Sequence, residues 1–84
     1  MKITFHALAW EDYLHWQDTD AKLLRKLNAL IKDCSRTPFS GIGKPEPLKN
    51  ELKGWWSRRI DQEHRLIYRV RDDVLEISQC RYHY

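Results

Sequence analysis

The stretch Trp55-Trp56-Ser57-Arg58-Arg59-Ile60-Asp61-Gln62-Glu63-His64-Arg65-Leu66-Ile67-Tyr68-Arg69-Val70-Arg71-Asp72-Asp73-Val74-Leu75-Glu76-Ile77 decides the fold. Aromatic, β-branched and long aliphatic residues recur among charged ones, interrupted at Asp61-Gln62-Glu63 and Arg71-Asp72-Asp73 by the polar composition of tight turns. The pattern predicts three strands, Trp55 to Ile60, His64 to Val70 and Val74 to Tyr82, joined as an antiparallel meander. Side chains alternate along a strand, so parity assigns faces. Leu66, Tyr68 and Val70 share the face expected to meet a core. Arg65, Ile67 and Arg69 share the other, and an isoleucine between two arginines points to a half-buried groove rather than an open solvated face. Arg58 and Arg59 fall on opposite faces of the preceding strand, so one of them should reach that groove. The last strand does not hold one phase: Leu75 and Ile77 ask for the core on one parity, Cys80 and Tyr82 on the other. A bulge between Ile77 and Cys80 reconciles them. Parity alone leaves open which face His83 takes.

Upstream, Leu48 to Lys53 reads as a further strand ended by Gly54. Before it, Arg36 to Pro47 holds all three prolines and two of the three glycines. Each proline drives its predecessor toward extended backbone, so this is a loop, stiffened where Pro45 and Pro47 flank Glu46. A loop this long in a compact domain is usually functional or disordered, and the two prolines flanking Glu46 argue against disorder.

The amino-terminal part reads differently. Lys2 to His6 alternates as a short first strand. Trp10, Tyr13, Leu14 and Gln17 then recur at helical spacing, with Glu11 and Asp12 in the first turn. Asp18-Thr19-Asp20 offers caps where one helix stops and a second starts. In that second helix Leu23, Leu24, Leu27, Leu30, Ile31 and Cys34 form one apolar stripe, opposite Lys22, Arg25, Lys26, Lys32 and Asp33. The expected fold is α+β: a short first strand and two amino-terminal helices packed on one face of a mainly antiparallel sheet.

With 84 residues and 10.2 kDa the chain makes one domain. No apolar run is long enough to span a membrane, and the opening residues lack the pattern of a secretory signal, so a cytoplasmic protein is expected. Cys34 and Cys80 are accordingly expected as reduced thiols at packed positions. Neither has neighbours at metal-ligand spacing, and no acidic cluster does, so no metal or cofactor is expected. The formal charge is +3, and between Lys44 and Arg71 eight basic residues accompany four acids. Such a surplus interleaved with aromatics suits a polyanion.

Cleaving an RNA phosphodiester without a metal takes a base for the 2′-OH proton, an acid for the departing 5′-oxygen and a cation for the charge building on phosphorus. Glu46 in the stiff loop, His83 and Arg65 offer these three functions. Arg58 and Arg59 are candidate phosphate clamps, and Arg81-Tyr82-His83-Tyr84 places aromatics beside Arg and His as stacking surfaces for bases. His64 shares the parity of Leu66 and Tyr68 and is read as structural.

These residues combine into a known pattern. Lys44-Pro45-Glu46-Pro47-Leu48-Lys49, Trp56-Ser57-Arg58-Arg59-Ile60, Glu63-His64-Arg65-Leu66-Ile67-Tyr68 and Cys80-Arg81-Tyr82-His83-Tyr84 closely resemble the YoeB/Txe toxins of the RelE superfamily. The resemblance is strongest from Arg36 onward and extends through Trp10-Glu11-Asp12-Tyr13. It implies a microbial-ribonuclease-like fold and cleavage of messenger RNA in the ribosomal A site with the 2′-OH as nucleophile. By position in the motifs it implies Glu46 as general base, His83 as general acid, Arg65 as stabiliser of the pentacoordinate phosphate and Tyr84 as the residue that orients substrate. Arg59 and Lys49 are implied phosphate contacts, with Arg58 and Arg81 in the same RNA-binding set. The implied partners are a cognate YefM/Axe-type antitoxin, the 70S ribosome with bound mRNA, and a second copy in a homodimer. The rival expectations are a non-catalytic toxin on the same scaffold, as ParE-type proteins are, and a plain RNA-binding module. Neither calls for the set Glu46, Arg65 and His83.

Overall fold

The computed structural model describes all residues, 1–84. Strand β1 (Lys2–Phe5) leads into helices α1 (Ala7–Thr19) and α2 (Ala21–Arg36), followed by β2 (Glu46–Pro47), a 3-10 turn (Asn50–Leu52), β3 (Trp56–Arg59), β4 (Arg65–Arg71) and β5 (Val74–Gln79). The five strands form one sheet in the order β1-β5-β4-β3-β2, antiparallel except for the parallel pair β1 and β5. No helix is long and apolar enough to cross a membrane.

The expected α+β architecture is present. Its helix junction is set by Asp20, whose carboxylate accepts the Leu23 N–H at 3.0 Å and so satisfies one of the free donors at the start of α2. Leu23, Leu27, Leu30, Ile31 and Cys34 of α2 are buried against Leu66, Tyr68, Leu75 and Ile77 of the sheet. The hairpin between β4 and β5 closes through Asp72 and Asp73 at φ 54° and 60°. Two consecutive left-handed residues match the right-handed twist of the flanking strands.

The bulge in the last strand is real: Ile67 pairs with Gln79 and Tyr68 with Ile77, so Ser78 is the extra residue. Leu75, Ile77 and Cys80 thereby all reach the core despite their mixed parity, but β5 ends at Gln79, short of the expected Tyr82, and Tyr82 is exposed and not part of the core. Both cysteines are free and buried, and burial pushes the thiols up, to about 11 for Cys34 and about 12 for Cys80.

Two expectations are corrected. Leu48 to Lys53 is not a strand. Asn50 sits in the left-handed region at φ 58°, which turns the chain out of the sheet, and only Glu46 and Pro47 pair with β3. The buried face of α1 is also rotated from the apolar stripe. Ala9, Asp12 and Trp16 point inward, whereas Trp10 and Leu14 are exposed. Trp10 instead stacks on Tyr13 (5.6 Å, 7° between planes), with Phe5 edge-on to both, as an aromatic cluster beside β1.

Candidate active site

The face of the sheet away from the helices carries the candidate residues. Residues directly opposite in a ladder present side chains to one face, and Glu46 of β2 is opposite Ser57 of β3, itself opposite Ile67 of β4. One step of parity along, Arg59 is opposite Arg65. Glu46, Arg59 and Arg65 therefore lie on one face in adjacent rows. With strands about 4.8 Å apart and a rise of about 3.3 Å per residue, the Glu46 and Arg65 backbones are roughly 12 Å apart, a span that two long side chains can close around a phosphate.

Ile67 and Arg65 are both buried, at 3% and 9% exposure, as the half-buried groove required. Arg65 Nη1 donates to the carbonyls of Asp61 (2.7 Å) and His64 (3.1 Å), which fixes the guanidinium, while Nε and Nη2 have no protein acceptor and retain access to solvent. A fixed cation with free N–H groups is the arrangement that meets an anion without reorganising.

Next to this row opens a cleft of about 660 Å³, lined by Glu46, Pro47, Leu48, Lys49, Asn50, Glu51, Leu52 and Tyr84. Glu46, Lys49 and Tyr84, three of the candidates, thus share one cavity. The segment after β5 is led there by hydrogen bonds: Arg65 N–H donates to the Tyr82 carbonyl at 3.0 Å. His83 and Tyr84 beyond it are exposed, their rings stacked at 4.6 Å. Arg59 is exposed on the groove face, its own N–H tied to the Gly43 carbonyl at 2.7 Å.

His83 is not part of the cleft wall, and two further candidates are elsewhere. Arg58, expected among the phosphate contacts, is fully buried: it pairs in register with Leu66 on the helix-facing side of β3. Its Nε donates to the Tyr68 hydroxyl, Nη1 to Asp33 and the Ile42 carbonyl, and Nη2 to the carbonyls of Thr37 and Ser40. All five N–H groups of the guanidinium fork are engaged, three of them on carbonyls of the loop that precedes Glu46, which is thereby held against the core. The Tyr68 hydroxyl adds a bond to the Pro38 carbonyl at 2.6 Å. The stiffness assigned to the prolines thus has a second source. A Cβ at Gly41 (φ 119°) would collide with the Asp33 carboxylate, so this turn of the loop accepts only glycine. Arg81, the other candidate, lies outside the cleft wall, its guanidinium 4.5 Å from the Tyr82 ring and 5.9 Å from Trp16.

At the far end of the same face, Arg69 lies over Trp55 at 4.3 Å and bonds Glu76 at 2.7 Å. Arg69, with Arg71 near, holds the Glu76 carboxyl below its usual range. No three His, Cys, Asp or Glu side chains converge anywhere in the fold.

Two helices on one side of a five-stranded mixed sheet make the α+β fold of YoeB/RelE-like toxin structures. Residues 5–84 match the family described as YoeB-like toxin of bacterial type II toxin-antitoxin system, and the chain belongs to that family. It is similar to toxin YoeB of Escherichia coli strain K12, with 60% identity over 84 residues covering 100% of both chains. Among solved structures it resembles the YoeB/ParE toxin from Agrobacterium tumefaciens, at a TM-score of 0.98 and 52% identity over 100% of both chains. The YoeB of a heterotetrameric YoeB-YefM complex from Staphylococcus aureus follows at 0.92 and 48%, covering 100% of this chain and 98% of that one.

Proposed function

We propose that this chain is an endoribonuclease toxin that cuts messenger RNA in the ribosomal A site by metal-independent attack of the 2′-OH. Glu46 takes the 2′-OH proton, and the freed oxygen attacks phosphorus. The bond to the 5′-oxygen breaks as His83 gives that oxygen a proton, leaving a 2′,3′-cyclic phosphate and a 5′-hydroxyl. Arg65 meets the charge on the pentacoordinate phosphorus, Arg59 and Lys49 contact flanking phosphates, and Tyr84 orients the strand.

The observation that carries this reading is the common face of Glu46, Arg59 and Arg65, with the segment bearing His83 and Tyr84 fastened to the backbone of Arg65 itself. The cleft is open and shallow in fixed groups, so a free RNA strand is poorly held there. The ribosome supplies the missing orientation, an effect of about 7–11 kcal/mol when reacting atoms are aligned. The cognate antitoxin is of the YefM type, supported by the complex known for the Staphylococcus aureus relative.

The test is primer extension on a messenger translated in a purified system, with wild type and with Glu46→Ala, Arg65→Ala and His83→Ala. Ribosome-dependent cuts within A-site codons are expected. Loss of either proton-transfer residue should slow cutting about 10²–10⁴-fold, and loss of Arg65 about 10²–10³-fold. Translation arrest without cuts, unchanged in all three variants, would replace this reading by a non-catalytic binder.

A further inference from the structure

We infer that His64 is a positioning residue for the cleft, holding in place the segment that carries His83 and Tyr84. The inference rests on the nuclease reading above and adds to it the residue that sets the geometry of the acid.

His64 Nδ1 accepts the backbone N–H of Tyr82 at 2.7 Å. An acceptor at Nδ1 requires the neutral ring with its proton on Nε2. The next residue in β4, Arg65, donates its N–H to the Tyr82 carbonyl at 3.0 Å. Both polar backbone groups of Tyr82 are thus taken by two consecutive residues, His64 just before β4 and Arg65 at its start. The clamp is needed, because Tyr82 has φ 64°, a left-handed conformation that a non-glycine residue keeps only when its surroundings impose it.

The ring of His64 is itself immobilised. It is 9% exposed, sits edge-on to Trp16 at 4.7 Å, and its backbone N–H is tied to Asp61 Oδ1 at 2.6 Å. Two residues before Tyr82, Cys80 is fixed by α1: its N–H goes to Asp12 Oδ2 (3.1 Å) and its carbonyl accepts from Trp16 Nε1 (2.8 Å). Past Tyr82 the only hydrogen bond of His83 or Tyr84 is between the two, Nδ1 to carbonyl at 3.3 Å. Tyr82 is therefore the last fixed point before His83, and His64 is the one side chain that hydrogen-bonds it. Misplacing a reacting group by about 1 Å can cost about 10²-fold in rate, so this clamp governs catalysis from outside the cleft.

Asparagine and glutamine separate this role from mere packing. The Asn Oδ1 occupies the place of His Nδ1, whereas the Gln Oε1 occupies that of Nε2. His64→Asn should keep cleavage within a few fold of wild type, while His64→Gln and His64→Phe lose about 10²-fold in kcat with KM little changed. The second readout is backbone amide exchange at Tyr82 by NMR, slow in wild type and His64→Asn and fast in His64→Gln. This readout stands in wild type even where a variant fails to fold. Fast exchange at Tyr82 in wild type overturns the inference. So does cleavage that is equal in the Asn and Gln variants while wild type cuts. A wild-type protein that does not cut at all removes the nuclease reading and this inference with it, a result told apart by the activity of wild type alone.

Discussion

Arg58 Nη1 stands 2.6 Å from Asp33 Oδ2, joining the middle of β3 to the last turns of α2 across 25 positions of sequence. This pair belongs to structure and not to RNA recognition. Arg58 is fully buried although Asp33 is partly exposed, and its loss strands buried acceptors on Tyr68, Thr37, Ser40 and Ile42, so Arg58→Ala should lower the unfolding midpoint by more than about 10 °C. Arg58→Lys should follow it, because one ammonium cannot serve five acceptors in a fork. Arg59→Ala, exposed on the groove side, should change stability by no more than about 0.5 kcal/mol while weakening RNA contact. Thermal unfolding followed by circular dichroism compares the three directly.

Acid should act on the same pair. The Arg58 guanidinium holds the Asp33 carboxyl below its usual 3.8, and the Arg69 guanidinium likewise holds Glu76 below 4.5. A carboxyl depressed in the folded state binds fewer protons there than in the unfolded chain, so it adds stability above its unfolded value. That contribution is lost as pH falls through the folded value. Urea unfolding between pH 7 and pH 3 should show stability declining below about pH 4.5, and Asp33→Asn should flatten part of the decline.

Asp12 runs the other way. Burial in α1 raises its carboxyl despite the bond from the Cys80 N–H. Its charged form is thus held at a cost, and this cost is relieved as pH falls toward the raised value. Asp12→Asn keeps an oxygen for the Cys80 N–H and removes the charge, so it should match or exceed wild-type stability at pH 7. Asp12→Ala strands that donor and should lose about 1–3 kcal/mol. Equal midpoints for the two variants would contradict the assignment.

What could be read from the sequence was local. The stripe of α2, the parity of Leu66 and Tyr68 against Arg65 and Ile67, and a bulge between Ile77 and Cys80, found at Ser78, all follow from periodicity within one element. What could not be read depends on distant partners. Nothing near Arg58 announces that it meets Asp33, Thr37, Ser40 and Ile42 instead of phosphate. On α1 the apolar residues mislead, because Trp10 and Tyr13 stack with each other at the surface while Asp12 turns inward to hold Cys80. One signal was available: Ala9, Asp12 and Trp16 also lie at helical spacing, and a carboxylate on such a stripe asks for a buried donor. For the groove and its cleft, Glu46, Lys49, Arg59 and Arg65 could be named from the motifs, but the course of the chain past Gln79 is set by distant partners, Asp12 and Trp16 on Cys80 and His64 and Arg65 on Tyr82.

The most direct test of the proposed chemistry removes the nucleophile rather than the enzyme. A messenger carrying a single 2′-deoxy nucleotide at the scissile position of the A-site codon is programmed into ribosomes and treated with the wild-type protein. If the 2′-OH attacks phosphorus, the deoxy messenger stays intact, and the all-ribose control yields a 2′,3′-cyclic phosphate and a 5′-hydroxyl. Cutting of the deoxy messenger at the same bond, or products ending in a 5′-phosphate, would mean that water is the nucleophile and that Glu46 and His83 do not act as proposed.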